Sequence, residues 1–176
     1  MYLRLLEPYV NFIKIDGKRR ELYWCNGTFS EAIRFYKYKF FGDIEFREIL
    51  ESITSGFLPE IYECLLYGAL KMAAPELSPE SFAAMQINDL EAVEAVADGV
   101  NHYLPQNQDT DIEAFCTHEK QNQAIDWDLW YKALGDHGLR PDDIKRMTFR
   151  AMDIYLFGSK DDSDELHGYG WLLEGV

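Results

Sequence analysis

A chain of 176 residues, 47% hydrophobic and 15% aromatic, is long enough to bury a core as one medium-sized domain with or without a small appendage. Its formal net charge of -14 argues against binding to nucleic acid backbones or anionic membranes, because like charges repel. Residues 1–42 hold eight Lys and Arg against four acids, a local charge of +4, which leaves -18 for the remainder. We therefore expect a cationic or amphipathic protein partner.

The cysteines form no disulfide or metal-binding pattern. Cys25, Cys64 and Cys116 are odd in number, lie far apart and show no CxxC or CxxH spacing, so they are interpreted as reduced thiols packed as small hydrophobic side chains. The N-terminal apolar run is too short for a signal peptide, and no window approaches the length of a membrane span. The sequence predicts a protein that acts in the cytosol.

The first predicted element is a β-hairpin in YVNFIKIDGKRRELYWCNG. Asp16-Gly17 accepts the positive φ angles of a two-residue hairpin turn, and apolar residues alternate with polar ones on both sides of it. The alternating residues are Val10, Phe12, Ile15, Leu22 and Trp24. We expect two antiparallel strands.

The next segment, TFSEAIRFYKYKFF, allows two interpretations. Thr28 or Ser30 could cap a helix, whereas the alternation of aromatic and basic residues from Phe35 to Phe41 is typical of a strand. We favour a helix followed by a loop.

Two helices follow with clear boundaries. Asp43 stands as an N-cap before an apolar stripe, and Ser55-Gly56 ends the helix. The stripe consists of Phe46, Ile49, Leu50 and Ile53. Pro59, whose missing N–H costs nothing in a first turn, opens EIYECLLYGALKMAA. This segment is apolar nearly all round, so we expect it to be the most buried helix.

Two further helices lead to Pro105. Ser78 is a cap followed by Pro79 at the first helical position of PESFAAMQI. Asn88 with Glu91 three residues later resembles a capping box and starts the last helix of this part. Its apolar stripe consists of Val93, Val96, Ala97 and Val100.

The C-terminal part divides into three predicted segments. Residues 106–125 are polar and aperiodic, as is typical of a linker. Residues 126–157 are predicted to form a helical hairpin, in which Asp126 caps the first helix and Pro141 opens the second. The second helix is expected to present Ile144, Met147, Ala151 and Tyr155 on one side. Residues 158–176 form an acidic tail that ends in apolar residues.

The hairpin carries much aromatic surface for its size. Trp127, Trp130, Tyr131 and Leu134 share one face of its first helix. Such a stripe is either core or a docking face, and a two-helix unit has too little surface to cover three large rings by itself. The candidate partner-binding residues are Trp127, Trp130, Tyr131, Leu134 and Met147.

The sequence shows no motif for catalysis, metal binding or cofactor binding. It lacks GxxxxGK[ST], GxGxxG, GxSxG and HExxH, and its four histidines are scattered without i, i+4 pairing. The acidic run DDSDE lacks the glycine and terminal glutamate of a calcium loop. We expect a protein that is not an enzyme and uses no cofactor, in which Cys64 is inert packing.

Together these elements predict an α+β fold that is mainly α. An N-terminal β-hairpin packs on a helical bundle within residues 1–105, and the linker joins this core domain to the C-terminal helical hairpin.

Four segments of the first 105 residues carry a family resemblance: FIKIDGK, DIEFREIL, LLYGALKMAAPELSPESFA and INDLEAVEAVADGVNHYLP. Their order resembles the tail assembly chaperones of long-tailed phages and prophages of Gram-positive bacteria. The segment DWDLWYKALGDHGLRPDDIKRMTFRAMDIY is similar to the extension that such phages add by programmed ribosomal frameshifting. Two features depart from the family: Arg140 precedes Pro141 where a Ser or Thr cap is usual, and the end after Gly158 matches no family pattern.

The resemblance implies a non-catalytic chaperone of phage tail morphogenesis. Its short form would coat the tape measure protein, and the extension would recruit tail tube subunits, in the host cell cytoplasm and outside the mature virion. A groove between apolar helices with an acidic rim would hold an amphipathic tape measure helix. The sequence leaves self-association open.

Two other classes of function compete with this one. A small acidic phage inhibitor that mimics DNA, and so blocks a host nucleic-acid-binding protein, needs carboxylates spaced like phosphates over one surface. Many acids here are instead helix caps and first-turn residues, such as Asp43, Glu60, Glu80 and Asp126. A small hydrolase needs a pocket of clustered titratable groups, which the sequence does not show.

Overall fold

The computed structural model describes residues 6–55, 58–104 and 127–157. The described chain is an N-terminal two-stranded antiparallel hairpin followed by helices, so the predicted α+β, mainly α fold is confirmed. The predicted linker and acidic tail lie outside the described residues.

The hairpin consists of β1 (Tyr9–Ile15) and β2 (Lys18–Trp24), joined by a two-residue turn. Asp16 and Gly17 have φ angles of 50° and 74°, as the sequence predicts for this turn. The buried face of the hairpin does not contain all of the alternating apolar residues that the sequence suggests. Successive strand residues point to opposite faces, so Phe12 cannot share a face with Ile15. Phe12 is 43% exposed, and the guanidinium carbon of Arg19 lies 3.6 Å from its ring centroid.

The segment after the hairpin is one helix, α1 (Asn26–Phe40), which includes most of the aromatic and basic run. The strand interpretation of this run is therefore wrong. Cys25, and not Thr28 or Ser30, is the N-cap residue. Thr28 lies in the first turn, where its hydroxyl accepts a hydrogen bond from the Cys25 N–H at 3.2 Å. Phe41 ends the helix with a left-handed φ of 55°.

Helix α2 (Phe46–Ser55) begins later than the sequence predicts. Asp43 does not cap it, because the Asp43 carboxylate is paired with Lys37 at 2.7 Å. The Glu45 N–H donates instead to the Glu48 side chain at 2.7 Å. Helix α3 (Pro59–Ala73) opens with Pro59 as predicted, and its residues from 64 to 70 are all buried.

The caps of the next two helices, α4 (Pro79–Ala83) and α5 (Asp89–Tyr103), are confirmed. Ser78 Oγ accepts from the Ser81 N–H at 3.2 Å, and Asn88 Oδ1 accepts from the Leu90 and Glu91 N–H groups. The buried face of α5 is rotated from the predicted stripe. It contains Ala95, Val96, Gly99, Val100 and Tyr103, whereas Val93 is 41% exposed.

The C-terminal unit contains three helices rather than two: α6 (Trp127–Asp136), α7 (Pro141–Arg146) and α8 (Phe149–Phe157). The predicted second helix breaks at Met147, and the Thr148 hydroxyl caps α8 by accepting from the Ala151 N–H at 3.0 Å. At the start of α7, Asp143 accepts hydrogen bonds from the backbone and side chain of Arg140. The Asp143 carboxylate thus forms the half of a capping box that binds the N–H of the N-cap residue, while Arg140 has no side-chain acceptor for the N–H groups of the first turn.

The C-terminal helices share one hydrophobic core with the rest of the described chain. They join it at the buried Asn26, whose backbone N–H donates to the Met147 carbonyl at 2.8 Å. The Asn26 side-chain amide donates to the Ile144 carbonyl, and its oxygen accepts from the Tyr103 hydroxyl, both at 2.8 Å. The start of α1 and the end of α7 therefore satisfy each other's unpaired backbone groups.

Candidate functional site

A groove of about 650 Å³ lies between α3, α4 and the start of α5, and we call it the α3–α5 groove. Its lining is largely apolar: Tyr62 and Leu66 come from α3, Phe82 from α4, Ile87 from the following loop and Val93 from α5. Leu66 and Phe82 are each only 4% exposed, so they form its floor. A concave apolar surface of this kind suits a partner side chain or helix better than a small charged substrate.

The groove exists because α4 is only five residues long and covers α3 incompletely. Phe82 anchors α4, with its ring in edge contact with the rings of Tyr67 and Phe35 at centroid distances of 5.3 and 5.5 Å. The chain then turns toward the hairpin, where the Gln86 N–H donates to the Asp16 side chain at 3.1 Å and Ile87 pairs with Ile15. The wall formed by residues 85–87 is thus fixed to the hairpin turn.

Large apolar side chains are exposed at one lining residue of the groove and at two residues next to the lining in the sequence. Leu58 directly precedes Pro59 of the lining and is 57% exposed, and Leu90 directly follows Asp89 of the lining and is 67% exposed. Val93, which belongs to the lining itself, is 41% exposed. An exposed apolar side chain in the lining of a groove is typical of an interaction surface.

Acidic side chains stand at the edges of the groove. Glu63 belongs to the α3 wall and Asp89 to the facing α5 wall, and the exposed Glu60 follows Pro59 in the first turn of α3. Glu63 is paired with Lys39, which reaches over from the last turn of α1. Around the apolar floor, the groove therefore presents negative charge to a partner.

Burial favours the protonated form of the two described thiols. Burial raises the pKa of the Cys64 thiol to about 12, and the neighbouring Glu63 carboxylate raises it further while Lys39 opposes the shift. Burial also raises the pKa of Cys25. Both groups are therefore protonated at neutral pH, when a thiolate would be needed for attack. Cys116 lies outside the described residues.

The structure places the residues singled out by the sequence in two groups. Leu134 and Met147 are fully buried, so in this arrangement neither offers surface to a partner. The side chains of Trp127, Trp130 and Tyr131 lie outside the described residues, although the backbone of α6 that carries them is described. Their role as a docking face stays a prediction.

Sequence reasoning did not locate the groove residues. The sequence pattern places Val93 in the buried stripe of its helix, and Leu58 and Leu90 carry no periodic signal of their own. The available signal was the surplus of apolar residues on α5, which has large aliphatic side chains on more than one face.

Comparisons with protein-family models, with curated proteins and with solved structures found no match to this chain. None of the described helices is long and apolar enough to cross a membrane. Across the described residues, no cluster of three or more His, Cys, Asp or Glu side chains is arranged to hold a metal ion.

Proposed function

We propose that this protein is a non-catalytic phage tail assembly chaperone whose α3–α5 groove binds an amphipathic helix of the tape measure protein. The observation that carries the proposal is the groove itself, which has an apolar floor, the acidic residues Glu63 and Asp89 in its lining and a Val93 side chain that is 41% exposed. An amphipathic helix inserts apolar side chains spaced at i, i+3 or i+4, and i+7 into such a groove.

Charge supports the choice of partner. The chain carries a net charge of -14, and Glu63 and Asp89 line the groove on facing helices. A helix with Lys or Arg beside its apolar stripe is attracted to this surface, while an acidic helix is repelled. The apolar contacts then hold the complex, since their strength does not depend on charge screening.

The C-terminal unit has the second task in this proposal, the recruitment of tail tube subunits. Trp127, Trp130 and Tyr131 on α6 are the proposed contacts, because aromatic anchors contribute most to protein interfaces. Leu134 and Met147 are both buried and are therefore not among the proposed contacts. The complex acts in the host cell cytoplasm during tail assembly and leaves before the virion is complete.

Calorimetric titration of the protein with a tape measure fragment tests the groove. Val93→Asp should weaken binding by about tenfold or more, because it puts a charge into an apolar contact. Phe12→Asp is the matched control, since Phe12 is 43% exposed against 41% for Val93 and does not belong to the lining of the α3–α5 groove. Equal binding by both variants would remove the groove from the proposal.

The same titration at low and physiological salt separates the chaperone from an acidic DNA mimic. Binding by apolar burial should survive the change, whereas binding by a phosphate-like array of carboxylates should be almost lost. Several acids of this chain are occupied in local ion pairs, among them Glu31, Asp43, Glu51, Glu63 and Asp143. This pairing favours the chaperone.

A further inference from the structure

We propose that Glu63 recognises a cation of the bound helix and that Lys39 is its internal competitor. The partner helix then carries a Lys or Arg beside its apolar stripe, in register with the α3 wall of the groove. This inference rests on the proposed function, since it names the partner's chemistry at the same groove.

The geometry places Glu63 in two roles at once. Glu63 belongs to the lining of the α3–α5 groove, and its carboxylate is paired with Lys39 from the last turn of α1. The Glu63 side chain is 35% exposed and that of Lys39 is 40% exposed. The Glu63 side chain is therefore partly open to solvent, on a residue that belongs to the groove lining.

The pair is of a kind that a partner can break. Both groups of an exposed ion pair keep part of their hydration, so the pair contributes little to stability. A Lys or Arg that arrives on a helix held by apolar contacts has a high effective concentration at Glu63. It replaces Lys39 there, and the displaced ammonium returns to water.

The facing wall gives a second reason for a cationic partner. Asp89 lines the groove from the first turn of α5, and no Lys or Arg of the described chain lies within ion-pair distance of it. A helix with cations on both flanks of its apolar stripe thus meets two carboxylates, that of Asp89 and that of Glu63, which is already paired with Lys39. Removing Lys39 leaves the Glu63 carboxylate available to the partner.

The chain offers a matched control for Lys39. Lys37 lies two residues earlier on α1 and pairs with Asp43 at 2.7 Å, with side chains 70% and 85% exposed. Neither residue belongs to the groove lining. Lys37→Ala therefore changes the net charge and breaks an ion pair as Lys39→Ala does, but leaves the groove untouched.

Two synthetic peptides test the inference by fluorescence anisotropy on the full chain. One is an amphipathic helix with a Leu stripe flanked by Lys on both sides, and the other has Gln in place of each Lys. Lys39→Ala should bind the Lys-flanked peptide about threefold to fivefold more tightly than the wild type, as expected for one exposed ion pair. Its affinity for the Gln-flanked peptide, and both affinities of Lys37→Ala, should be unchanged.

A double-mutant cycle shows whether Lys39 acts through Glu63. In a Glu63→Gln background the Lys39 substitution should have no effect, and Lys39→Gln should reproduce Lys39→Ala in the wild-type background. Equal or weaker binding of the Lys-flanked peptide by Lys39→Ala would overturn the competitor role and leave the groove in place. An equal gain for the Gln-flanked peptide would also overturn it, since Lys39 would then act by bulk. Failure of both the wild type and Lys39→Ala to bind either peptide would overturn the groove and the inference together.

Discussion

At the scale of single residues, Asn26 connects the start of α1 to α5 and to the C-terminal helices. It is 5% exposed and forms three hydrogen bonds of 2.8 Å, with Met147, Ile144 and Tyr103. Two of these bonds use its side chain, and the residues that they join are all buried. A buried polar group that loses its partner costs more than the bond itself contributes.

We expect Asn26→Ala to lower the free energy of unfolding by about 1–3 kcal/mol, because it removes the two buried hydrogen bonds that the Asn26 side chain forms with the Ile144 carbonyl and the Tyr103 hydroxyl. Thermal melting measures the loss. Asn101→Ala is the control, since Asn101 is an exposed residue of α5. The free energy of unfolding of this variant should lie within about 0.5 kcal/mol of the wild-type value. A variant at Asn26 that melts like the control would mean that the C-terminal helices are not held through this residue.

At the scale of secondary-structure elements, the packing of α5 on β2 depends on the absence of a side chain. A Cβ atom added at Gly99 would lie 1.9 Å from the indole ring of Trp24, which is fully buried. The Trp24 ring cannot retreat easily, because its Nε1 donates to Asn11 Oδ1 at 2.7 Å. Asn11 in turn donates to the Ala95 carbonyl and to Asp98 on α5.

Gly99→Ala should therefore destabilise the fold by about 3 kcal/mol, since it forces α5 away from the hairpin. Gly135→Ala in α6 should have the opposite sign, a gain of up to about 1 kcal/mol, because nothing lies within 4 Å of the added Cβ and alanine favours the helix. Urea unfolding of the two variants compares them directly. If Gly99→Ala were as stable as Gly135→Ala, the close contact between α5 and Trp24 would be wrong.

The elements also show which parts of the fold a sequence can predict. Local signals succeeded at Pro59, Ser78 and Asn88, because proline and cap residues act within one turn of a helix. Tertiary contacts decided the failures. Asp43 caps nothing because Lys37 binds its carboxylate, and the break at Met147 lets its carbonyl accept from the N–H at the start of α1.

The candidate site was harder to predict than the fold. The groove is defined by the shortness of α4 and by the bonds that tie residues 85–87 to the hairpin turn. The contacts between residues 85–87 and the hairpin turn join residues about seventy positions apart in the sequence, so no local sequence pattern predicts them. Only the chemistry of the site, an apolar groove with acidic edges, followed from composition and from the family resemblance.

At the scale of the whole molecule, the described C-terminal helices are part of the core. They contribute Leu134, Ile144, Met147, Phe149, Ala151 and Met152 to the same buried cluster as the first domain. The sequence places the end of tertiary contacts at the linker, whereas the structure continues them beyond it. A chaperone that holds tail tube subunits through this unit would therefore hold them close to its own core, and not at the end of a free tether.

Stopping the chain at residue 121 removes all six of these buried side chains, so we expect a lower melting temperature and an exposed apolar patch that binds a hydrophobic dye.

Trp130→Ala in the full chain then separates packing from recruitment. If Trp130 is a docking anchor, the variant should melt like the wild type but lose about thirtyfold in affinity for tail tube subunits. Co-purification with the tube protein, run beside melting curves for Trp130→Ala and for the core variant Leu134→Ala, measures both properties. Lost stability with intact recruitment in the Trp130 variant would assign its ring to the core, where Leu134 already lies, and would withdraw the recruiting role from α6.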